Sequence, residues 1–255
     1  MSSSVSKLPQ FFGRISKIAL RKPTDLRFVF GHANYAAGLI DDPIADVRDI
    51  PEINFAELGR RNGGSTRFEI QCFPGIPASI SPLEANVIAL LVRSTQAKVA
   101  FEFGTYKGVS TTQIALNLVP NGIVHTIDLP EENSSVSLSI SDAYERKLTL
   151  ERGKGVEIPT DLLDRVQFHK IDSAHFDETP FLGKADFVFI DGAHSFDYVA
   201  SDSAKGMRLL RPGGIAVWHD CMPTHPDVVR YIRSIEDCAP TRITGTALAY
   251  AEKPA

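Results

Sequence analysis

Five short apolar runs punctuate the middle of this chain, and their alternation with helical stretches limits the fold more than any other feature. Lys98 to Phe103, Ile123 to Asp128, Val166 to Ile171, Asp186 to Ile190 and Ile215 to His219 read as buried strands. Val109 to Leu118 reads as a helix between the first two. Phe196, Val199, Ala200, Met207 and Leu210 repeat at helical spacing before Arg211-Pro212-Gly213-Gly214 stops that segment. Strands too apolar to have a wet face, separated by helices, imply an α/β protein. The expected architecture is a doubly wound, mostly parallel sheet covered on both sides.

The flanks are read from punctuation. Phe73-Pro74-Gly75-Ile76-Pro77 closes an irregular, partly helical lead-in over residues 1–75, and residues 76–255 form the α/β domain. Ser81-Pro82-Leu83-Glu84 starts a helix that runs to about Ser94 and buries Leu83, Val87, Leu90 and Leu91. After a helix near Asp227 to Ile235, Arg242 to Thr244 and Thr246 to Ala251 form a closing hairpin about Gly245. One connection breaks the rhythm: 38 positions separate Asp128 from Val166. This insertion, about residues 130–164, is Ser-rich from Ser134 to Ser141 and carries a helix near Asp142 to Glu151. Lid and inert insertion are equally open for it.

Composition removes several function classes. With 27 Lys+Arg against 31 Asp+Glu, the net charge of −4 does not suit nucleic acid as main partner. Three cysteines without a CxxC pair, Cys72, Cys221 and Cys238, fit neither a disulfide scaffold nor a thiolate zinc site, and the expected location is the cytoplasm. No run reaches the roughly 18 apolar residues of a membrane span. Near the N-terminus, Leu8, Phe11, Phe12, Ile15 and Ile18 share one helical stripe among basic residues. That amphipathic segment is expected to dock on its own domain or in a homodimer, with a membrane-surface anchor as the alternative.

The most informative stretch is Glu102-Phe-Gly104-Thr105-Tyr-Lys-Gly108-Val-Ser110, where a buried strand ends in an acid and turns through two glycines into a helix. The first such turn of a doubly wound sheet is where an adenine nucleoside sits. The next strand ends in Asp128, 24 positions after Gly104, placed for ribose hydroxyls, and the third in Asp172-Ser173, near the adenine edge. A dinucleotide would want GxGxxG beneath its pyrophosphate. Here the spacing is GxxxG, and Glu102 sets an anion where an ammonium or sulfonium group fits better. The expected cofactor is S-adenosyl-L-methionine.

ISPLEANVIALLVRSTQAKVAFEFGTYKGVSTTQIA and DFVFIDGAHSFDYVASDSAKGMRLLRPGGIAVWHD resemble the class I S-adenosylmethionine-dependent methyltransferases. The resemblance is to the small-molecule O-methyltransferase branch, with catechol, caffeoyl-coenzyme A and macrocin O-methyltransferases. It covers about Ile80 to Asp220. It implies a Rossmann-like sheet of seven strands with an antiparallel last one. It also implies that Glu102 and Gly104 hold the methionine end, Asp128 the ribose, and Asp172 with Ser173 the adenine. Thr105, Gly108, Ser110 and Asp191 are further candidates to line that site.

Asp191-Gly-Ala-His194 and His219-Asp220-Cys221 close the fourth and fifth strands at the same edge. Methyl transfer to oxygen needs alignment and loss of the acceptor's proton, to a base or through a metal that lowers its pKa. His194, Asp191 and Asp220 are the candidate catalytic group. The resemblance implies Asp191 and Asp220 as ligands for Mg²⁺ and His194 as base. Two departures stand out: Cys221 replaces the catechol type's Asn, and His219 the macrocin type's Glu. His219 is therefore a candidate third ligand, favouring a softer ion or none. Three rival readings remain: a metal-independent methyltransferase with a histidine base, an NAD(P)-binding oxidoreductase, and a cofactor-binding module without turnover.

Overall fold

The computed structural model describes residues 47, 50–73, 75–130, 136–140 and 153–254. The chain divides into Met1–Asp46 and Val47–Ala255, and the α/β sheet belongs to the second unit. The N-terminal amphipathic stripe and the helix expected near Asp142 to Glu151 lie outside the described residues.

One sheet organises the unit. Its strands are β1 (Glu52–Ile53), β2 (Val99–Phe103), β3 (Ile123–Asp128), β4 (Val166–Lys170), β5 (Ala185–Ile190), β6 (Leu210–Trp218), β7 (Thr241–Ile243) and β8 (Ala249–Glu252). Across the sheet they run β1-β7-β8-β6-β5-β2-β3-β4. The five strands from β4 to β6 are parallel, and β8 is antiparallel to both β6 and β7. The sheet therefore has eight strands rather than seven. The extra one comes from the lead-in, where Glu52 and Ile53 pair in parallel with Arg242 and Ile243.

Five α-helices complete the described fold: α1 (Phe55–Arg61), α2 (Pro82–Ser94), α3 (Val109–Asn117), α4 (Phe196–Leu209) and α5 (Pro226–Arg233). Helix α2 begins where its sequence says it should. Ser81 Oγ accepts from Glu84 N and Glu84 Oε2 accepts from Ser81 N, a reciprocal cap with proline in the first turn. Val87, Leu90 and Leu91 are buried as expected, but Leu83 is exposed, with its side chain beside Gly245 rather than among the core residues.

The central strands are buried on both faces. Phe187 and Phe189 join Val87, Ile88, Leu91 and Ile114 in one core. Phe103, Val188 and Ile190 face α4, where Gly206 lets the helix backbone approach. Burying each phenylalanine contributes about 1.5–3 kcal/mol, so the strands are held by their side chains as much as by their ladders. Asp186 ties down the amino edge, accepting from Lys98 N and Val99 N and pairing with Arg211 at 2.7 Å. The opposite, carboxyl edge carries the tips of β2, β3, β4, β5 and β6, and so all the polar strand ends of the sequence.

Candidate active site

The turn after β2 sets the geometry. Gly104 has φ +97°, and a Cβ there would lie 2.0 Å from the Asp191 carbonyl oxygen. With Asp191 N donating to Phe103 O at 2.9 Å, the absence of a side chain lets the β5 tip close against the β2 tip. Gly108 also has positive φ, but its neighbour is the insertion: a Cβ would meet Ile158 at 2.4 Å. Gly155 N and Glu157 N donate to Tyr106 O and Lys107 O, so residues 153–158 run along the glycine turn.

Glu102 is fully buried, and its register partner on β3 is Thr126. Its Oε2 accepts from the hydroxyls of Thr111 and Thr126, while Oε1 has no hydrogen-bond partner. Burial pushes its carboxyl up to about 7, against the opposing pull of the Ser110, Thr111 and Thr126 hydroxyls. A buried carboxyl oxygen without a donor is what a cationic group nearby would satisfy.

Asp128 is already engaged. Oδ2 accepts from Thr105 N and Tyr106 N, Oδ1 accepts from Leu129 N, and Lys154 Nζ lies 3.1 Å from Oδ1. Asp172 accepts from Ala174 N, Ser137 N and the Tyr198 hydroxyl. Burial works to raise its carboxyl, but these donors outweigh it and hold it below the ordinary range. Ser173 bonds to Asp202, a carboxyl that burial pushes up to about 7. The insertion thus touches both acids expected at the nucleoside, through Lys154 and Ser137. Neither residue had a sequence signal, since each acts across a connection whose path the chain pattern does not specify.

At the β5 and β6 tips, the candidate catalytic residues converge. His194 Nε2 is 2.8 Å from Asp220 Oδ2. His219 Nδ1 lies 3.2 Å from Asp191 Oδ1 and 3.1 Å from Asp220 Oδ2, and His219 Nε2 lies 3.5 Å from Glu84 Oε2. His225, the residue before α5, places Nδ1 3.5 Å from Asp220 Oδ1 and stacks edge-on against His194. Asp220 itself has φ +58°, a left-handed conformation that turns its carboxylate into the cluster.

Electrostatics follow from the crowding. Burial disfavours charge on His219, but Asp191 and Asp220 outweigh it and raise the imidazole well above its ordinary value. Burial likewise opposes Asp220, yet His219 and His194 hold it well below the carboxylate range. Glu84 comes down to about 2 despite burial, through His219 and the N–H groups of Ser81 and Ala247. Cys221 is buried with its thiol pushed up to about 11, and its N–H serves the Ala247 carbonyl; it offers no nucleophile.

The donor set fits a divalent ion. Asp191, His219 and Asp220 offer atoms within 4.8 Å of one another. An octahedral ion with bonds of about 2.1 Å spaces adjacent donors about 3.0 Å apart, close to the separations at His219. His219 Nδ1 is buried between the two carboxylates, close to both and well aligned with neither, so the same position suits a protonated imidazole or a nitrogen donor to a shared cation. Sequence reasoning named Asp191, His194, His219 and Asp220, but read Glu84 only as a helix cap.

Residues 101–221 match the profile of a family described as a methyltransferase domain. A putative O-methyltransferase from Mycobacterium sp. (strain JLS) is 29% identical over 143 residues, covering 55% of this chain and 56% of the relative. Caffeoyl-CoA O-methyltransferase from Pinus taeda is 24% identical over 163 residues, covering 60% of this chain and 57% of its own length. The chain thus spans little more than half of these curated relatives. Among solved structures, the O-methyltransferase TomG from Streptomyces achromogenes superposes with a TM-score of 0.50 at 18% identity, over 87% of this chain and 95% of that one. That likeness bears on the fold alone. Over residues 101–221, from within β2 to just past the tip of β6, the chain is thus similar to a methyltransferase domain, and the curated relatives it resembles are O-methyltransferases.

Proposed function

We propose that this protein is an S-adenosylmethionine-dependent methyltransferase acting on a hydroxyl group of a small molecule. The observation that carries the reading is the juxtaposition produced by Gly104. It brings the tip of β2, with Glu102 buried beside it, against Asp191 of the proton-handling cluster. Glu102 favours a positively charged methionine end, Asp128 and Asp172 present carboxylates to a nucleoside, and the GxxxG turn does not favour a diphosphate. Bound there, the cofactor would supply the methyl group.

Proton removal falls to the second cluster. Asp220 holds His194 through Nε2 at 2.8 Å, and this oriented imidazole is the group assigned to take the acceptor's proton. Asp191, Asp220 and His219 would hold a divalent ion, Mg²⁺ in the reading the family resemblance favours, and such an ion lowers the pKa of a hydroxyl bound to it. The 2.8 Å His194–Asp220 pair also supports a second reading, base catalysis by His194 without an ion.

Asp191→Ala tests the assignment. With a panel of phenolic, sugar and polyketide alcohols, wild type should release S-adenosylhomocysteine. The variant should lose at least about 100-fold in turnover, the scale of a missing acid–base or charge-stabilising group, while keeping cofactor affinity. Undiminished turnover in Asp191→Ala, with and without chelator, would remove Asp191 from the catalytic group.

A further inference from the structure

Glu84 comes from a distant part of the chain, and its position at His219 has no role in the methyl transfer proposed for the site. It sits in the first turn of α2 and is 6% exposed. Two backbone donors fix its carboxylate: Ser81 N at 2.7 Å to Oε2 and Ala247 N at 2.7 Å to Oε1. The remaining reach of Oε2 is to His219 Nε2, at 3.5 Å. On the other side of the same ring, Nδ1 looks between Asp191 Oδ1 and Asp220 Oδ2, close to both and well aligned with neither. A carboxylate behind one ring nitrogen, with metal-type donors around the other, is how proteins orient a ligating imidazole.

We infer that Glu84 is a positioning residue that makes His219 a nitrogen donor and thereby tunes the Asp191–His219–Asp220 centre to a divalent transition ion, such as Co²⁺, Fe²⁺ or Zn²⁺, over Mg²⁺. The inference rests on the metal-assisted reading of the site. Mg²⁺ takes oxygen ligands and retains water, whereas imidazole suits the later divalent ions. The surroundings of the centre are nitrogen-rich too. His194 and His225 both approach Asp220, and with it they form a second group whose donor atoms lie within 4.8 Å of one another. Cys221, next in sequence, lies buried with its N–H on the Ala247 carbonyl, and its side chain adds no hard oxygen donor.

The test is direct titration of chelator-treated full-length protein with Co²⁺, followed by its visible ligand-field absorption, then competition with Mg²⁺. S-adenosylhomocysteine affinity is measured on the same samples. Wild type should bind Co²⁺ with a saturable band and require about tenfold or more Mg²⁺ to displace it. Glu84→Gln should weaken Co²⁺ about 10- to 100-fold and shift the band, which a merely structural defect would not do. His219→Asp, which gives an all-oxygen set, should shift preference towards Mg²⁺, and Glu84→Asp, which keeps the charge but withdraws it from His219, takes the place of Glu84→Gln if that variant does not fold. Equal affinity for Co²⁺ and Mg²⁺ in wild type, no saturable binding of either, or an unchanged Co²⁺ affinity and band in a folded Glu84 variant overturns the inference. If S-adenosylhomocysteine still binds then, the methyltransferase reading survives, and His219 is an imidazolium among three carboxylates. Ion preference as expected with no S-adenosylhomocysteine binding supports the metal centre and overturns the cofactor reading instead.

Discussion

Glu102 is a carboxyl poised to respond to a cation. Burial holds it at about 7, so near neutral pH it is shared between its acid and carboxylate forms. A positively charged methionine end favours the carboxylate. Affinity for S-adenosylmethionine should therefore rise as pH increases from about 6 to 8 and flatten above that. In Glu102→Gln the rise should disappear, and binding at pH 8 should fall about 10- to 100-fold, the weight of one charge-assisted hydrogen bond. Calorimetry across that range checks it; a parallel pH profile in the variant would take Glu102 out of the contact. Residues like this were readable in sequence because they end apolar strands. Asp128, Asp172, Asp191 and Asp220 share that placement. Glu84 was not readable as part of the site, because its partner His219 is far along the chain and its immediate neighbours explain it fully as a cap.

At the scale of elements, the insertion between β3 and β4 takes on a definite relation to the nucleoside edge. Its described parts place Lys154 on Asp128 and Ser137 on Asp172. In the proposed reading, Lys154 Nζ competes with a ribose hydroxyl for the Asp128 carboxylate. Lys154→Ala should therefore tighten S-adenosylhomocysteine binding a few-fold, since the nucleoside no longer competes with an internal partner. Unchanged or weaker binding would make the lysine a closing clamp or a bystander. Strands β3 and β4 carry a second prediction. His125 stacks on Phe101 at 4.6 Å between centroids, and its Nδ1 lies 3.0 Å from His169 Nε2. Burial lowers both imidazoles, His125 to about 4. Because the unfolded value is near 6.5, protons bind the unfolded chain first. Stability should be full above that pH and lost as pH falls from about 6.5 towards 4. In His125→Phe the drop in urea midpoint between pH 7 and pH 5 should shrink; an identical drop would clear the pair. The long apolar strands were plain in sequence, whereas two-residue β1 carries no periodicity and exists only because β7 offers it a partner.

For the whole molecule, the parallel order of β4-β3-β2-β5-β6 is what gathers the chemistry. Every strand tip in that run faces the same edge, so acids scattered from Glu102 to Asp220 become neighbours. This convergence was legible once the strands were known to alternate with helices. The insertion's path and the crowding of three imidazoles around Asp220 were not, since both depend on loops whose shape local pattern leaves open. Among the described residues no helix is long and apolar enough to cross a membrane. The central claim is that the carboxyl edge accepts a sulfonium nucleoside rather than a dinucleotide. Isothermal titration of the full chain with S-adenosylmethionine and, separately, with NAD⁺ tests it most directly. Saturable one-to-one binding of S-adenosylmethionine with no heat from NAD⁺ is the predicted result; binding of NAD⁺ in its place, or of neither, would contradict it.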